Sequence, residues 1–178
     1  MHLETERLVL REFAEADAEA TNVYERDAEV VRYTSHGPRS LDESRAYIRR
    51  ALAAARAAPR RVSDFALVRR EDLQLVGRCG FRVTSFDQRE AVLWYILDRS
   101  SWGRGYVGEA ARAVLGFGFG TLRLHRFFVD IDPRNAASLR VAEKLGMRRE
   151  AHFVENAWVK GEWTDSIVFG LLDREHRA

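Results

Sequence analysis

The chain has 178 residues, enough for one well-buried core and too few for two ordinary domains, so a single domain spanning 1–178 is expected. Apolar residues make up 46% and charged residues 31%, and 29 basic against 27 acidic side chains leave a formal charge of +2, too balanced to point to a nucleic-acid backbone. No apolar run reaches the roughly 18 residues of a membrane span, the N-terminus MHLETERLVLRE lacks a signal-peptide core, and the lone Cys79 excludes an internal disulfide and a CxxC metal site. A cytoplasmic chain with no membrane or nucleic-acid partner is expected.

In chain order, RLVLREF (7–13) alternates as a strand, with Leu8, Leu10 and Glu12 on one face. Residues 14–32 and 41–57 are expected to be helical. The second helix opens on Ser40-Leu-Asp-Glu43, a capping-box pattern, places Tyr47, Leu52 and Ala55 near one face, and is ended by Pro59. SDFALVRR (63–70), LVGRCGFRV (75–83) and EAVLWYILD (90–98) are three strands separated by short polar turns, as in an antiparallel meander. Cys79, inside the second of these, reads as a packed thiol.

Residues 107–119 carry Ala111, Val114, Leu115 and Phe119 at helical spacing, and RFFVDID (126–132) follows as a strand. A helix then begins at Asn135, with Leu139, Ala142 and Leu145 as its apolar stripe and Gly146 as its stop. VENAWV and DSIVFGLL close the chain as two strands around the Lys160-Gly161 turn. Together these predict an α/β class, a mixed sheet with helices on both faces.

The segment SWGRGYVGEA contains Gly103-x-Gly105-x-x-Gly108, which follows a strand and opens a helix. Glycines there let backbone N–H groups face a ligand, and the positive end of the following helix favours an anion, so the segment reads as a pyrophosphate cradle. A dinucleotide-binding domain is one reading, because Asp130 lies 22 residues beyond Gly108, where a ribose-binding acid would sit. Against it, only 48 residues follow Asp130, too few for the second parallel unit, and Asp98-Arg-Ser-Ser-Trp102 separates strand from turn. The second glycine run, GFGFG (116–120), follows no strand and reads as close packing at a helix end. The five histidines include no His-x-x-x-His pair, so neither a metal site nor a Ser-His-Asp set is supported.

WGRGYVGEA and DPRNAASLRVAEKLGM (132–147) together closely resemble the GNAT acetyltransferase superfamily, specifically its ribosomal-protein N-acetyltransferase-like branch. LETERLVLREF, LVGRCGF and KGEWTDSIVFGLL match in order, so the resemblance covers nearly the whole chain. It implies a GNAT fold in which EAVLWYILD and RFFVDID are a splayed parallel strand pair holding acetyl-CoA. The pantetheine arm would lie along the edge near Ile96 and Leu97, and Trp102, Gly103, Arg104, Gly105, Tyr106, Val107 and Gly108 would form the phosphate turn. Val107 is bulkier than the Gly or Ala usual in the family.

By the same resemblance Asn135 fixes the cofactor arm and Ser138 is placed to protonate the departing thiolate, whereas on spacing alone Asn135 is equally an N-cap and Ser138 a small first-turn residue. Other GNAT branches carry a tyrosine where this chain has Ala142. Arg140 and Lys144 are candidates for reaching the phosphates. The reaction needs a neutral amine, and Glu155, or else Glu90, is the expected base. The loop RYTSHGP (32–38) and the last hairpin are expected to frame the acceptor through Tyr33, His36, Trp158 and Trp163. The expected activity is acetyl transfer from acetyl-CoA to a peptide α-amine or a small amine, without a metal and in a chain that can form a homodimer. The alternatives are an acyl-CoA-binding module without turnover and a nicotinamide-dependent oxidoreductase.

Overall fold

The computed structural model describes residues 1–176. Eight strands form one sheet: β1 (His2–Glu4), β2 (Leu8–Arg11), β3 (Val62–Arg69), β4 (Leu75–Ser85), β5 (Glu90–Leu97), β6 (Arg126–Ile131), β7 (Arg148–Val159) and β8 (Glu162–Leu172). Their order across the sheet is β1-β2-β3-β4-β5-β6-β8-β7. Every neighbouring pair is antiparallel except β5 and β6. The architecture is therefore a GNAT fold with one parallel βαβ unit, and the second unit that a dinucleotide domain requires has no place in this sheet.

Among the described residues four α-helices cover the sheet: α1 (Ala18–Glu25), α2 (Leu41–Arg56), α3 (Tyr106–Gly116) and α4 (Ala136–Lys144). The two-residue period of β3 sorts them onto opposite faces. Phe65 and Leu67 join the main core with Ala110, Val114 and Leu115 of α3, whereas Ala66 packs with Phe13, Ala18 and Ile48 on the face covered by α1 and α2. The capping box at Ser40 is formed: Ser40 Oγ accepts from the Glu43 N–H and the Glu43 carboxylate accepts from the Ser40 N–H.

Three sequence expectations are corrected. The helix expected over 14–32 is a 3-10 turn (Glu15–Asp17) followed by the short α1, after which Asp27 Oδ1 accepts the Glu29 N–H at 2.9 Å and competes with further helical bonding. β1 has no counterpart among the expected strands, and it pairs with β2 across a turn held by Thr5 and Leu8. β7 begins at Arg148, six residues before VENAWV; it is an exposed edge strand whose irregular pairing between Phe153 and Ala157 breaks the alternation that sequence patterning relies on. GFGFG meets its expectation of close packing. The helix runs on as a π turn over Phe117–Thr121, and a Cβ on Gly118 would stand 2.4 Å from Phe127 Cζ.

Candidate active site

The parallel pair determines where a ligand can enter. β5 and β6 are in register over Glu90–Val92 and Arg126–Phe128, and beyond that point the pairing stops. β4 continues to hold β5 as far as Leu97, and β8 holds β6 as far as Ile131. Each strand is thus fixed on its outer side while the two inner edges part. Leu93 to Leu97 therefore present one backbone edge to a cleft of about 1250 Å³, which also touches α3, α4 and the loop after α1. Ile96 and Leu97 lie on that edge.

The turn that follows is tied to the strand by Trp102, whose indole N–H donates to the Leu97 carbonyl at 2.8 Å. Gly103 (φ 74°) and Gly105 (φ 82°) are in the left-handed region, and a Cβ on Gly103 would meet only open space. The turn is therefore a cradle a ligand can fill, at the N-terminus of an 11-residue helix. Tyr106 is buried beneath it, and Val107 and Gly108 line the cleft. Arg104 is exposed and outside the lining; its carbonyl accepts a 2.9 Å hydrogen bond from Arg7 Nη1. Arg112, Arg140 and Lys144 add positive charge along the cleft wall, matching the charge of a diphosphate.

Asn135 and Ser138 come together on the opposite wall. Asn135 Oδ1 caps α4 by accepting the Ser138 N–H at 3.1 Å, and both residues line the cleft. Ala142 is 1% exposed and packs in the core, so this helix supplies no tyrosine hydroxyl. Tyr95 of β5, which sequence reading passes over, reaches across instead: its hydroxyl is 3.4 Å from the Ser138 carbonyl, and burial pushes its pKa up to about 12, which keeps it protonated.

At the other end Tyr33 and His36 line the cleft. Their loop is held by Lys160 Nζ, which donates to the Val31 carbonyl at 2.5 Å and to the Arg32 carbonyl at 3.1 Å. His36 Nδ1 is 2.9 Å from the Gly37 carbonyl, an acceptor, so Nδ1 carries the proton and Nε2 presents a lone pair. Nε2 is buried and has no partner among the described residues. Burial pulls the His36 pKa below its ordinary value, and the nearby Arg39 adds to this, against an opposing contribution from Gly37.

The structure does not bring the other predicted acceptor and base residues to this place. Glu155 is exposed on the irregular stretch of β7, at φ 46°, with its N–H bonded to Asp165 Oδ1 at 2.9 Å. Glu90 lies at the closed end of the parallel pair, 3.5 Å from Arg126 and accepting from Thr84 Oγ1. Trp158 and Trp163 face each other across the β7–β8 hairpin, 5.2 Å apart and more than half exposed, outside the cleft lining.

Beneath the acceptor end lies a buried polar cluster that sequence reading misses. Glu25, fully buried, accepts from Arg39 and from Arg78 Nε, the latter at 3.0 Å. Asp64 accepts from the Tyr47 hydroxyl and from the Trp94 indole N–H, and burial raises its pKa despite Arg78. One signal is present in the sequence: Arg78 interrupts the apolar run LVGRCGF of β4, and an inward-facing arginine is buried only where partners compensate it.

Comparison with known proteins agrees with this geometry. The family model described as Acetyltransferase (GNAT) domain matches residues 7–148. The chain is 29% identical over 175 residues, 98% of its length and 99% of the relative's, to the uncharacterized N-acetyltransferase YnaD of Bacillus subtilis strain 168. It superposes on the crystal structure of a GNAT-family acetyltransferase from Bacillus anthracis with a TM-score of 0.88, at 29% identity over 98% of this chain and 100% of that one. A spermidine N-acetyltransferase from Vibrio cholerae, solved with CoA and spermine, shares the fold at a TM-score of 0.83 and 19% identity, over 96% of this chain and 98% of that one.

Proposed function

The chain belongs to the GNAT acetyltransferase family, an acetyl-CoA-dependent N-acetyltransferase, and on that premise we propose that its acceptor is a peptide or protein N-terminal α-amine or a small primary amine, attacked directly in a ternary complex. The observation that carries this reading is the parting of β5 from β6 immediately before the glycine turn of α3. The cleft supports the fit of the cofactor at both ends: left-handed glycines and a helix N-terminus for the diphosphate, and an unpaired strand edge for the amide-bearing arm. Acetyl-CoA, when bound, supplies an acyl group activated as a thioester.

This chain's residues take the remaining tasks. The free edge of β5 orients the arm, Asn135 holds the first turn of α4 against the cleft, and the Ser138 hydroxyl donates a proton to the leaving sulfur. His36 takes the place expected of Glu155 or Glu90, because its ring lines the cleft and its neutral, unpartnered Nε2 is a proton acceptor that a small shift of the 32–38 loop opens to the incoming amine. An α-amine, with an ordinary pKa of about 7.7–8.0, needs less help than a lysine amine at about 10.4, which favours N-terminal or similar acceptors. The oxidoreductase alternative receives no support from the topology or from the comparisons.

Calorimetry with acetyl-CoA, followed by mass spectrometry of N-terminal peptides, polyamines and aminoglycosides, tests the reading. Micromolar binding and a gain of one acetyl group on an amine are expected. Tight binding with no acetylated product would instead mark an acyl-CoA-binding module, and no binding at millimolar concentration would refute the function.

A further inference from the structure

Arg78 is 7% exposed, yet its guanidinium is only partly spent. Nε donates to Glu25 Oε1 at 3.0 Å, Nη1 stands 3.8 Å from Asp64 Oδ2, beyond hydrogen-bond reach, and the plane lies over the Tyr47 ring with its centre 4.6 Å from the centroid. Among the described residues neither Nη group has a hydrogen-bond acceptor, while the residue lines the acceptor end of the cleft. Five donors in a rigid fork with the outer ones unpaired are a built recognition element for an acceptor-only oxygen.

Its position matters as much as its chemistry. Arg78 of β4 pairs in register with Ile96 of β5, so the two side chains share a face, and Ile96 lies on the strand whose other edge is open. The acyl arm would occupy the next strand position beyond β5, two inter-strand spacings or roughly 10 Å from the β4 backbone, a gap that the long Arg78 side chain and the acceptor bridge together. The charges of the cluster balance, with Glu25 and Asp64 against Arg39 and Arg78. Both carboxylates are occupied, Glu25 by the two arginines and Asp64 by Tyr47 and Trp94. The cluster thus offers hydrogen-bond donors and no unpaired carboxylate for a second ammonium group.

Building on the acceptor reading above, we propose that Arg78 selects α-amino-acyl acceptors by binding the oxygen borne by the carbon two bonds from the reacting amine, which is a carboxylate in a free amino acid and a peptide carbonyl at an N-terminus. Plain alkyl amines and polyamines carry a methylene at that position and leave the Nη donors unpaired.

The test uses the intact protein, acetyl-CoA and three amines of matched size around the nitrogen: L-alanine, the dipeptide amide Ala-Gly-NH2, and isopropylamine, with rates expressed per neutral amine. At least one carbonyl-bearing acceptor is expected to exceed isopropylamine by about ten-fold or more in kcat/KM, and Arg78→Lys, which keeps the charge and loses the fork, is expected to close that gap through KM. Preference for L-alanine would identify a free amino acid, and preference for the dipeptide amide an N-terminus; either supports the inference. Isopropylamine used as well as both would overturn it while leaving the acetyltransferase reading intact, and this holds whether or not the Arg78 variant folds. Acetylation of none of the three, with polyamine or aminoglycoside as the only substrates, would also overturn it, and no acetylation of any amine would remove the function it rests on.

Discussion

Arg7 and Glu109, 102 residues apart in the chain, meet in a three-point contact: Glu109 Oε1 accepts the Arg7 N–H at 2.8 Å, and Oε2 accepts Nε at 2.7 Å with Nη2 at 2.6 Å. The same guanidinium lies 4.9 Å over the Tyr106 ring and donates to the Arg104 carbonyl. The N-terminal segment therefore braces the phosphate turn, with Arg7 and Glu109 themselves at the cleft wall.

Because that brace shapes the turn and does not touch the acyl end, Arg7→Ala is expected to raise KM for acetyl-CoA about ten-fold with kcat changed less than about two-fold. Arg7 is 44% exposed, so the stability cost stays within about 1 kcal/mol. Burial alone would raise the Glu109 carboxyl, but the hydrogen bonds and charge of Arg7 outweigh it and hold its pKa below the ordinary 4.5. Its stabilisation is accordingly full above pH 4.5 and lost only as pH falls through the lower folded value. Steady-state kinetics with melting curves at about pH 7 and about pH 4 check both points; a fall in kcat at unchanged KM would contradict the assignment.

Gly118 tests the packing of the π turn. With Phe127 Cζ and Cε2 at 2.4 and 2.5 Å from the place a Cβ would take, and Phe119 stacked edge-on at 5.0 Å, the ring has no room to withdraw. Gly118→Ala is expected to cost about 1–3 kcal/mol by overpacking. Gly120→Ala, which meets no atom within 4 Å, should stay within about 0.5 kcal/mol. Chemical denaturation of the two variants side by side measures the difference, and equal stability of both would contradict the overpacking.

Asn135 and Ser138 separate by readout. Asn135→Ala removes the cap of α4 and is expected to destabilise by about 1 kcal/mol. Ser138→Ala leaves that bond in place, because the cap is accepted from the Ser138 N–H, and should lower kcat by about ten-fold or more while acetyl-CoA affinity holds within about two-fold. If Ser138→Ala altered melting temperature and not kcat, the hydroxyl would be a first-turn residue only.

The pH profile singles out His36. Burial, aided by Arg39 and opposed by the Gly37 carbonyl, keeps its folded pKa below the ordinary 6.5, so the ring is neutral at about pH 7. The stability it contributes is present above pH 6.5 and lost as pH falls through the folded value. Activity per neutral amine should drop on the same acidic limb. His36→Gln is expected to abolish the limb and to lower kcat by about 10²-fold. Glu155→Gln, lying outside the cleft, should keep kcat/KM within about two-fold. Stopped assays from about pH 5 to about pH 8 distinguish the two carriers of the proton.

How much of this is legible in the sequence follows from the range over which each feature is encoded. The strands of the meander, the helices α2, α3 and α4, the glycine turn and the Asn135–Ser138 pair are all readable, because periodicity, caps and left-handed glycines act within a few residues. The family resemblance joins those pieces into one fold in the right order.

What the linear text leaves open is every relationship that depends on register. The inner edges of β5 and β6 part because β4 and β8 hold them on their outer sides, a matter of pairing between distant strands. One irregular stretch in β7 sends Glu155 to solvent, and a two-residue period on β4 turns Arg78 inward, where Glu25 lies 53 positions earlier in the chain. Local propensity is written in neighbouring residues; proximity between remote ones is created only when the sheet closes, and the polar groups that line the cleft owe their partners, and hence their chemistry, to that closure.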